Sequence, residues 1–328
     1  MQKVLIVTYY WPPGSGAGVQ RWLKFSKYLT KQGWEPLILT VDPDFAVYSA
    51  IDNSLNNEIP ANLTIYKTRA RNFFRLYKKD KSKIPSAGFA VDEEIGFVSH
   101  ITRFLRGNFF IPDPRRGWNR FAFKKACEII ETQKTDRVIT TSPPHSTQLI
   151  GLKLKKKYPG IRWIADLRDP WTDIYYYEKF YPTFLSKRID SAYEKKVLKS
   201  ADKIITVGNS LKELFSSKIP DIEEKIEVIS NGHDEEDFSG LTASKPDIFT
   251  ISYVGTLSGS YPISGFLKAL KPFIEKGISF RLRFTGVVSP EYKELLSSAA
   301  GPSNIEFIHF SAHSTAVRNM LDTSALLL

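Results

Sequence analysis

The sequence predicts an α/β protein of two doubly wound domains, each a parallel sheet with helices on both faces, the second incomplete in this chain. Three observations carry that prediction. Residues 4–7 form a continuous apolar run, Val-Leu-Ile-Val, that leads into the loop WPPGSGAG and then a helical pattern. Strand-like and helix-like patterns alternate along nearly the whole chain. A polar break at residues 240–247, GLTASKPD, separates two such series.

An apolar run without alternation belongs in a strand buried on both faces. In the helix after the loop, Leu23, Phe25, Tyr28 and Leu29 recur near helical spacing. Gly33 ends that helix, and residues 36–40 read as the second strand of a βαβ unit. Gly14, Gly16 and Gly18 carry no side chain to hold a ligand away from the backbone, and the unpaired N–H groups of a helix's first turn favour negative charge. A phosphate or an anionic sugar group fits such a loop. A nicotinamide dinucleotide fits it poorly, because Val19, Gln20 and Arg21 follow Gly18 and leave G-x-G-x-x-G incomplete; Asp42 alone is a weak ribose match.

The alternation continues with a strand at 63–66, a helix at 118–133, and a strand at 137–141 that ends in Ser142-Pro143-Pro144-His145. A helix at 146–157 and a strand at 162–167 lead to Arg168-Asp169-Pro170-Trp171. A helix at 184–200, a strand at 203–207, a helix capped by Asn209-Ser210 and a strand at 227–229 then reach Ser230-Asn231-Gly232. After the break come strands at 249–254, ending at Gly255, at 280–284, ending at Gly286, and at 305–308, with helices at 263–276, 290–300 and 314–321. Residues 324–328 open one more strand. The pattern divides the chain into domains 1–243 and 244–328, the second only about half of an ordinary α/β domain, as expected of a C-terminally truncated chain.

Composition narrows the class. No apolar run reaches membrane-spanning length and no charged leader precedes an apolar segment, so the expectation is a cytoplasmic protein. The single cysteine, Cys127, lies in a helical pattern and reads as a small core residue. The net charge of +11 is concentrated: residues 67–125 hold 15 lysines and arginines against 5 acids. Phe73, Phe74, Tyr77, Phe89, Phe97, Phe104, Phe109, Phe110, Trp118, Phe121 and Phe123 lie in the same segment. Rings beside cations suit the headgroup layer of an anionic membrane. Nucleic acid ranks below it, since no recognition-helix or RNA-binding pattern accompanies the charge, and a plain solvated face is the unspecific alternative.

Taken in order, WPPGSGAGVQR, IADLRDPW, SADKIITVGNS, VISNGHDEEDF and ISYVGTLSG resemble the family 4 glycosyltransferases of the GT-B fold, which pair two Rossmann-like domains. The combination of SPPHS, DLRDPW and IPDPRRGW resembles the branch found in bacterial surface-polysaccharide synthesis. The resemblance implies a retaining, metal-independent sugar transfer with no cofactor. The donor substrate would be a nucleotide sugar and the acceptor a lipid-linked or other saccharide, at the inner face of the plasma membrane. Nucleic acid is not an expected partner.

Such a transfer must stabilise a departing diphosphate while the anomeric carbon becomes cation-like. The candidate catalytic residues are Asp169, Arg168 and His145. Many members of the family have a histidine where this chain has Arg168, a residue that cannot accept a proton but can hold a phosphate or hydroxyl in a fixed fork. Asp169 can accept a proton, and His145 is expected to titrate near neutrality. An Arg168–Asp169 pair that merely shapes the turn is the structural alternative. Gly16, Gly18, Asn231, Gly232, Gly255 and Thr256 are the candidate substrate- and donor-binding residues. Thr256 stands near where many members have an arginine, the next lysine is Lys268, and the carboxylate motif that grips the donor would lie beyond Leu328, so the donor site is expected to be incomplete. A nucleotide-sugar epimerase or isomerase and a non-catalytic sugar- or lipid-binding module are the alternative functions.

Overall fold

The computed structural model describes residues 1–71, 97–259 and 261–327. The chain forms two compact units, 1–232 and 233–328. In the first, β1 (Gln2–Val7), β2 (Trp34–Val41), β3 (Thr64–Thr68), β4 (Arg137–Ser142), β5 (Arg162–Leu167), β6 (Lys203–Thr206) and β7 (Ile226–Val228) make one sheet. Its order is β3-β2-β1-β4-β5-β6-β7, and every pairing is parallel. The helices are α1 (Ala17–Lys31), α2 (Phe97–Phe109), α3 (Asn119–Gln133), α4 (Gln148–Lys157), α5 (Phe184–Ser200) and α6 (Asn209–Lys218).

The unalternating run of β1 has a direct physical reason. Leu5 and Val7 join a core with Leu37, Leu39, Val138 and the α3 residues Ala122, Ala126 and Ile129. Val4 and Ile6 point to the other face and pack with Val19, Trp22 and Leu23 of α1. Each such side chain contributes about 1.5–3 kcal/mol on burial, which favours this register over any slip that would expose half of the strand. Cys127 is buried in α3, as expected of a core cysteine.

The second unit is a four-stranded parallel sheet, β8 (Phe249–Leu257), β9 (Phe280–Val288), β10 (Ile305–Ile308) and β11 (Ala325–Leu327), in the order β10-β9-β8-β11. Helices α7 (Ser264–Glu275), α8 (Pro290–Ala300) and α9 (His313–Leu321) accompany it, and Leu257, Leu282, Phe284 and Leu296 form its centre.

Four details differ from the sequence expectations. The compact units divide before residue 243, because the stretch after Gly232 is tied to the second unit: Asp237 pairs with His313 Nε2 at 2.9 Å, and Ser244 Oγ donates to Asp322 at 2.6 Å. Strands β8 and β9 do not stop at their glycines. Gly255 and Gly286 pair in register, and a Cβ on Gly286 would collide with the Gly255 carbonyl, so glycine permits close approach here. Asn209 is the first residue of α6 rather than a side-chain cap, with Gly208 at the N-cap. Helix α2 was not anticipated, because Ile101, Phe104 and Phe109 on it are exposed and mark no core face.

The basic aromatic segment is also not uniform. Phe73, Phe74, Tyr77 and Phe89 lie outside the described residues, as does the Phe97 side chain. Trp118 belongs to the core, edge-on to Tyr9, with Nε1 donating to Thr68 Oγ1 at 2.8 Å. Among the described residues no helix is long and apolar enough to cross a membrane.

Candidate functional site

The strand order reverses direction between β1 and β4, and a crevice opens at the carboxyl ends of these two strands, the usual ligand position in an open α/β sheet. The loop after β1 enters it. Gly16 occupies φ 101°, a left-handed conformation that a side chain would strain, and caps α1 without a side-chain hydrogen bond. Gly18, in the first turn, lies against Arg168: a Cβ there would stand 3.2 Å from Nη1 and 3.3 Å from Nη2. No acidic residue occupies this first turn, so both the helix end and the guanidinium favour an anion.

Arg168 is held from behind. It follows β5, is buried, and donates Nε to the Ser142 carbonyl at 3.0 Å and Nη2 to the Pro143 carbonyl at 3.2 Å. Those carbonyls belong to the end of β4, so the SPPHS segment serves as the cradle of the fork. Asp169 beside it is partly buried; burial raises its pKa, the Arg168 guanidinium pulls it back down, and Asp166 adds to the rise. Its carboxylate has no hydrogen bond among the described residues, a state suited to receiving a proton or a hydroxyl.

His145 departs from expectation. Its ring stacks on Trp171 with centroids 4.9 Å apart and planes 12° from parallel. Burial pushes its pKa down to about 3, with Arg168 and Lys218 adding to the fall against a hydrogen bond to the Pro170 backbone. The imidazole is therefore neutral at physiological pH and not poised to titrate there.

Beneath the crevice are residues that the sequence reading did not single out. Asp166, wholly buried at the end of β5, accepts from Trp22 Nε1 and Thr141 Oγ1, each at 2.7 Å, and from Arg21 Nη2 at 3.3 Å. Arg21 also donates to the carbonyls of Ile229 and Ser230 at 2.9 and 3.3 Å and to Asn231 Oδ1 at 2.9 Å. One buried ion pair thus joins α1, β5 and the segment after β7. Gln148 Nε2 binds the Asp166 carbonyl at 2.9 Å and Ser142 Oγ at 3.0 Å, which ties β4 to β5. The signal in the sequence was a charge inside the apolar run IADL, opposite an arginine on the apolar side of α1.

The structure brings Gly16, Gly18, Arg168, Asp169, His145 and Asn231 to this edge of the first unit. Gly232 is exposed with open space around its Cα. Gly255 and Thr256 belong to the second unit, both exposed near the end of β8. Next to the crevice is a pocket whose walls include Tyr10, Arg115, His145, Trp171, Tyr176 and Phe180. Asp113 closes one side of it by accepting from the Ser146 N–H at 2.7 Å and Ser146 Oγ at 2.9 Å, which joins IPDPRRGW to SPPHS.

Asp190 also lines this pocket, accepting from Trp171 Nε1 at 2.7 Å and the Tyr177 hydroxyl at 3.1 Å. Burial raises its pKa from 3.8 to about 6. A raised carboxyl binds its proton more tightly in the folded state, so stability from this group declines as pH rises between about 4 and 6. Asp190→Asn removes that penalty. The variant is expected to gain stability relative to the parent at pH 7 but not at pH 4, by on the order of 2–3 kcal/mol at most. Urea midpoints at the two pH values check this.

Several solved structures share the fold. A glycosyltransferase from Rickettsia africae is 15% identical with a TM-score of 0.54, the alignment covering 96% of this chain and 70% of that one. The lipopolysaccharide outer core galactosyltransferase WaaB is 13% identical with a TM-score of 0.50, over 100% and 74%. The catalytic domain of starch synthase IV from Arabidopsis thaliana, bound to ADP and acarbose, is 8% identical with a TM-score of 0.61, over 99% and 77%. At these identities the likeness establishes the fold, GT-B. No curated protein sequence matches the chain. The model of Glycosyltransferase Family 4 matches residues 18–237, from the glycine loop through Arg168 and Asn231, and the chain belongs to that family.

Proposed function

We propose that the protein transfers a sugar, with retention of configuration and without metal or cofactor, from a nucleotide sugar to a lipid-linked saccharide in bacterial surface-polysaccharide synthesis at the cytoplasmic face of the membrane. The observation that carries this reading is the meeting of the α1 N-terminus, the braced Arg168 fork and the Asp169 carboxylate at one point of the sheet edge. Arg168 meets developing negative charge with donors already aligned, so little reorganisation accompanies the reaction. Asp169, with its raised pKa, takes the acceptor hydroxyl's proton. His145, neutral and stacked, walls the acceptor side. Gly255 and Thr256 of the second unit offer backbone N–H and hydroxyl groups to the donor's diphosphate. The likeness to WaaB, a lipopolysaccharide outer core galactosyltransferase, and to starch synthase IV bound to ADP and acarbose supports a saccharide acceptor and a nucleotide donor.

The test uses the purified protein with a panel of nucleotide sugars, with and without lipid-linked saccharides from bacterial membranes. Release of nucleoside diphosphate only when acceptor is present, undiminished by EDTA, is the expected result. Conversion of the nucleotide sugar to its epimer without acceptor would replace the transferase by an epimerase. Calorimetry that finds no donor binding at all would make the protein a non-catalytic module.

A further inference from the structure

Helix α2 turns its apolar side outward. Ile101, Phe104 and Phe109 fall within one arc of the helix and all three are exposed, Phe109 at 65%. Arg106, on the other side, lies over the Phe180 ring, 3.9 Å from its centroid. This is the reverse of a helix packed on a soluble core.

The patch extends beyond α2, and its parts are fixed to one another. Asn108 Nδ2 donates to the Tyr181 carbonyl at 3.0 Å, and its Oδ1 accepts from the Thr183 N–H at 2.7 Å and Ser186 Oγ at 2.8 Å. These bonds place the end of α2 beside the first turn of α5, where Phe184 is 75% and Leu185 67% exposed. Tyr181, also exposed, bonds His100 Nδ1 through its hydroxyl at 2.9 Å. The guanidinium of Arg188 lies 5.5 Å above the Phe184 ring. The result is a rigid cluster of large apolar groups of the kind monomeric surfaces rarely present.

Charge identifies what covers it. Both acids of α5 are buried, Asp190 against Trp171 and Glu194 against Lys218 and Thr172. Its outward residues Arg188, Lys195, Lys196 and Lys199 are all exposed cations. A second copy seated on the patch about a two-fold axis would bring two such cationic helices together, an unfavourable arrangement. Apolar rings beside a one-sign cationic helix match the interface of an anionic bilayer.

We infer that this face docks on an anionic lipid bilayer, with Phe104, Phe109, Phe184 and Leu185 entering the interface while Arg188 and the α5 lysines meet headgroup phosphates. The docking element thus includes α5, which lies outside the segment 67–125. Gly107, Phe180 and Pro182, next to the docking residues in sequence, also line the pocket of His145 and Trp171. On the proposed reading of a lipid-linked acceptor, that shared wall lets the acceptor pass from the bilayer to the pocket.

Flotation of the whole protein with vesicles tests the docking, using phosphatidylcholine alone and phosphatidylcholine mixed in equal parts with phosphatidylglycerol. The protein is expected to float with the anionic vesicles. Phe184→Ser with Leu185→Ser should lower the partition constant roughly ten-fold or more. Arg188→Glu should lower it about five-fold or more on anionic vesicles and leave the neutral ones unaffected. All three residues are exposed, so circular dichroism spectra should match the parent. Equal partitioning of parent and variants would overturn the inference, as would absence of the parent from both vesicle types. Concentration-dependent self-association that the double variant abolishes, without vesicle binding, would assign the patch to a second copy instead. Vesicle binding as expected with no sugar moved in any assay would leave the docking standing and remove the transferase reading.

Discussion

Asp166→Ala is expected to destabilise the first unit by about 3–5 kcal/mol, the cost of leaving a buried charge without its partner. The reason is the number of groups that converge on one carboxylate. Trp22 Nε1, Thr141 Oγ1 and Arg21 Nη2 all donate to it, and Arg21 and Asp166 are almost without solvent contact. Removing the acceptor strands a guanidinium and two neutral donors in a place water does not reach, and each neutral donor adds about 1–3 kcal/mol of unmet desolvation unless the site relaxes. Arg21 would also lose the charge that orients it toward Ile229, Ser230 and Asn231, so the segment after β7 should loosen. Urea unfolding followed by tryptophan fluorescence measures the effect. A double-mutant cycle isolates its cause: Arg21→Met with Asp166→Leu, which removes both charges and keeps the volume, should cost less than Asp166→Ala alone. A midpoint for Asp166→Ala within about 1 kcal/mol of the parent would show that solvent reaches the pair.

The same node shows what a sequence can and cannot reveal. The first strand was legible because β1 is apolar on both faces, and no other placement in a two-layer protein buries Val4, Leu5, Ile6 and Val7 together. The glycine loop was legible because Gly16 serves backbone geometry and Gly18 leaves room for the Arg168 guanidinium, and both needs leave a mark in residue type. Arg21 and Asp166 were not, because their pairing spans 145 residues of sequence and depends on the register of two strands with a helix. His145 was misjudged for a related reason. Its pKa is pushed down chiefly by burial, with Trp171 stacked on its ring, and no local pattern announces that contact. Helix α2 escaped notice because its amphipathic pattern is real but inverted: the apolar arc is exposed, so the helix explains a surface and not a core.

Arg168→Ala is expected to lower kcat/KM for sugar transfer roughly 10²–10³-fold, the usual effect of removing one preorganised donor from developing charge. Two of its nitrogens are fixed to the Ser142 and Pro143 carbonyls, and the remaining face of the fork looks toward Gly18. Arg168→Lys should recover little, because a lysine keeps the charge but cannot bond two carbonyls and still present a donor to the substrate. Gly18→Ala should produce a weaker form of the same defect, since its Cβ would press on Nη1 at 3.2 Å and shift the fork by a few tenths of an ångström. A pH profile separates this role from a structural one. Asp169 already has a raised pKa, and Arg168 is the group that restrains the rise. Without the arginine the carboxyl should hold its proton to higher pH, so the acidic limb of the kcat/KM profile should move upward in pH in Arg168→Ala. A variant that merely unfolds would lower activity at every pH and shift its urea midpoint, whereas the loss of a charged neighbour to a proton acceptor moves the limb. An acidic limb that stays in place while activity falls would leave Arg168 as an anion holder and remove Asp169 from the proton transfer.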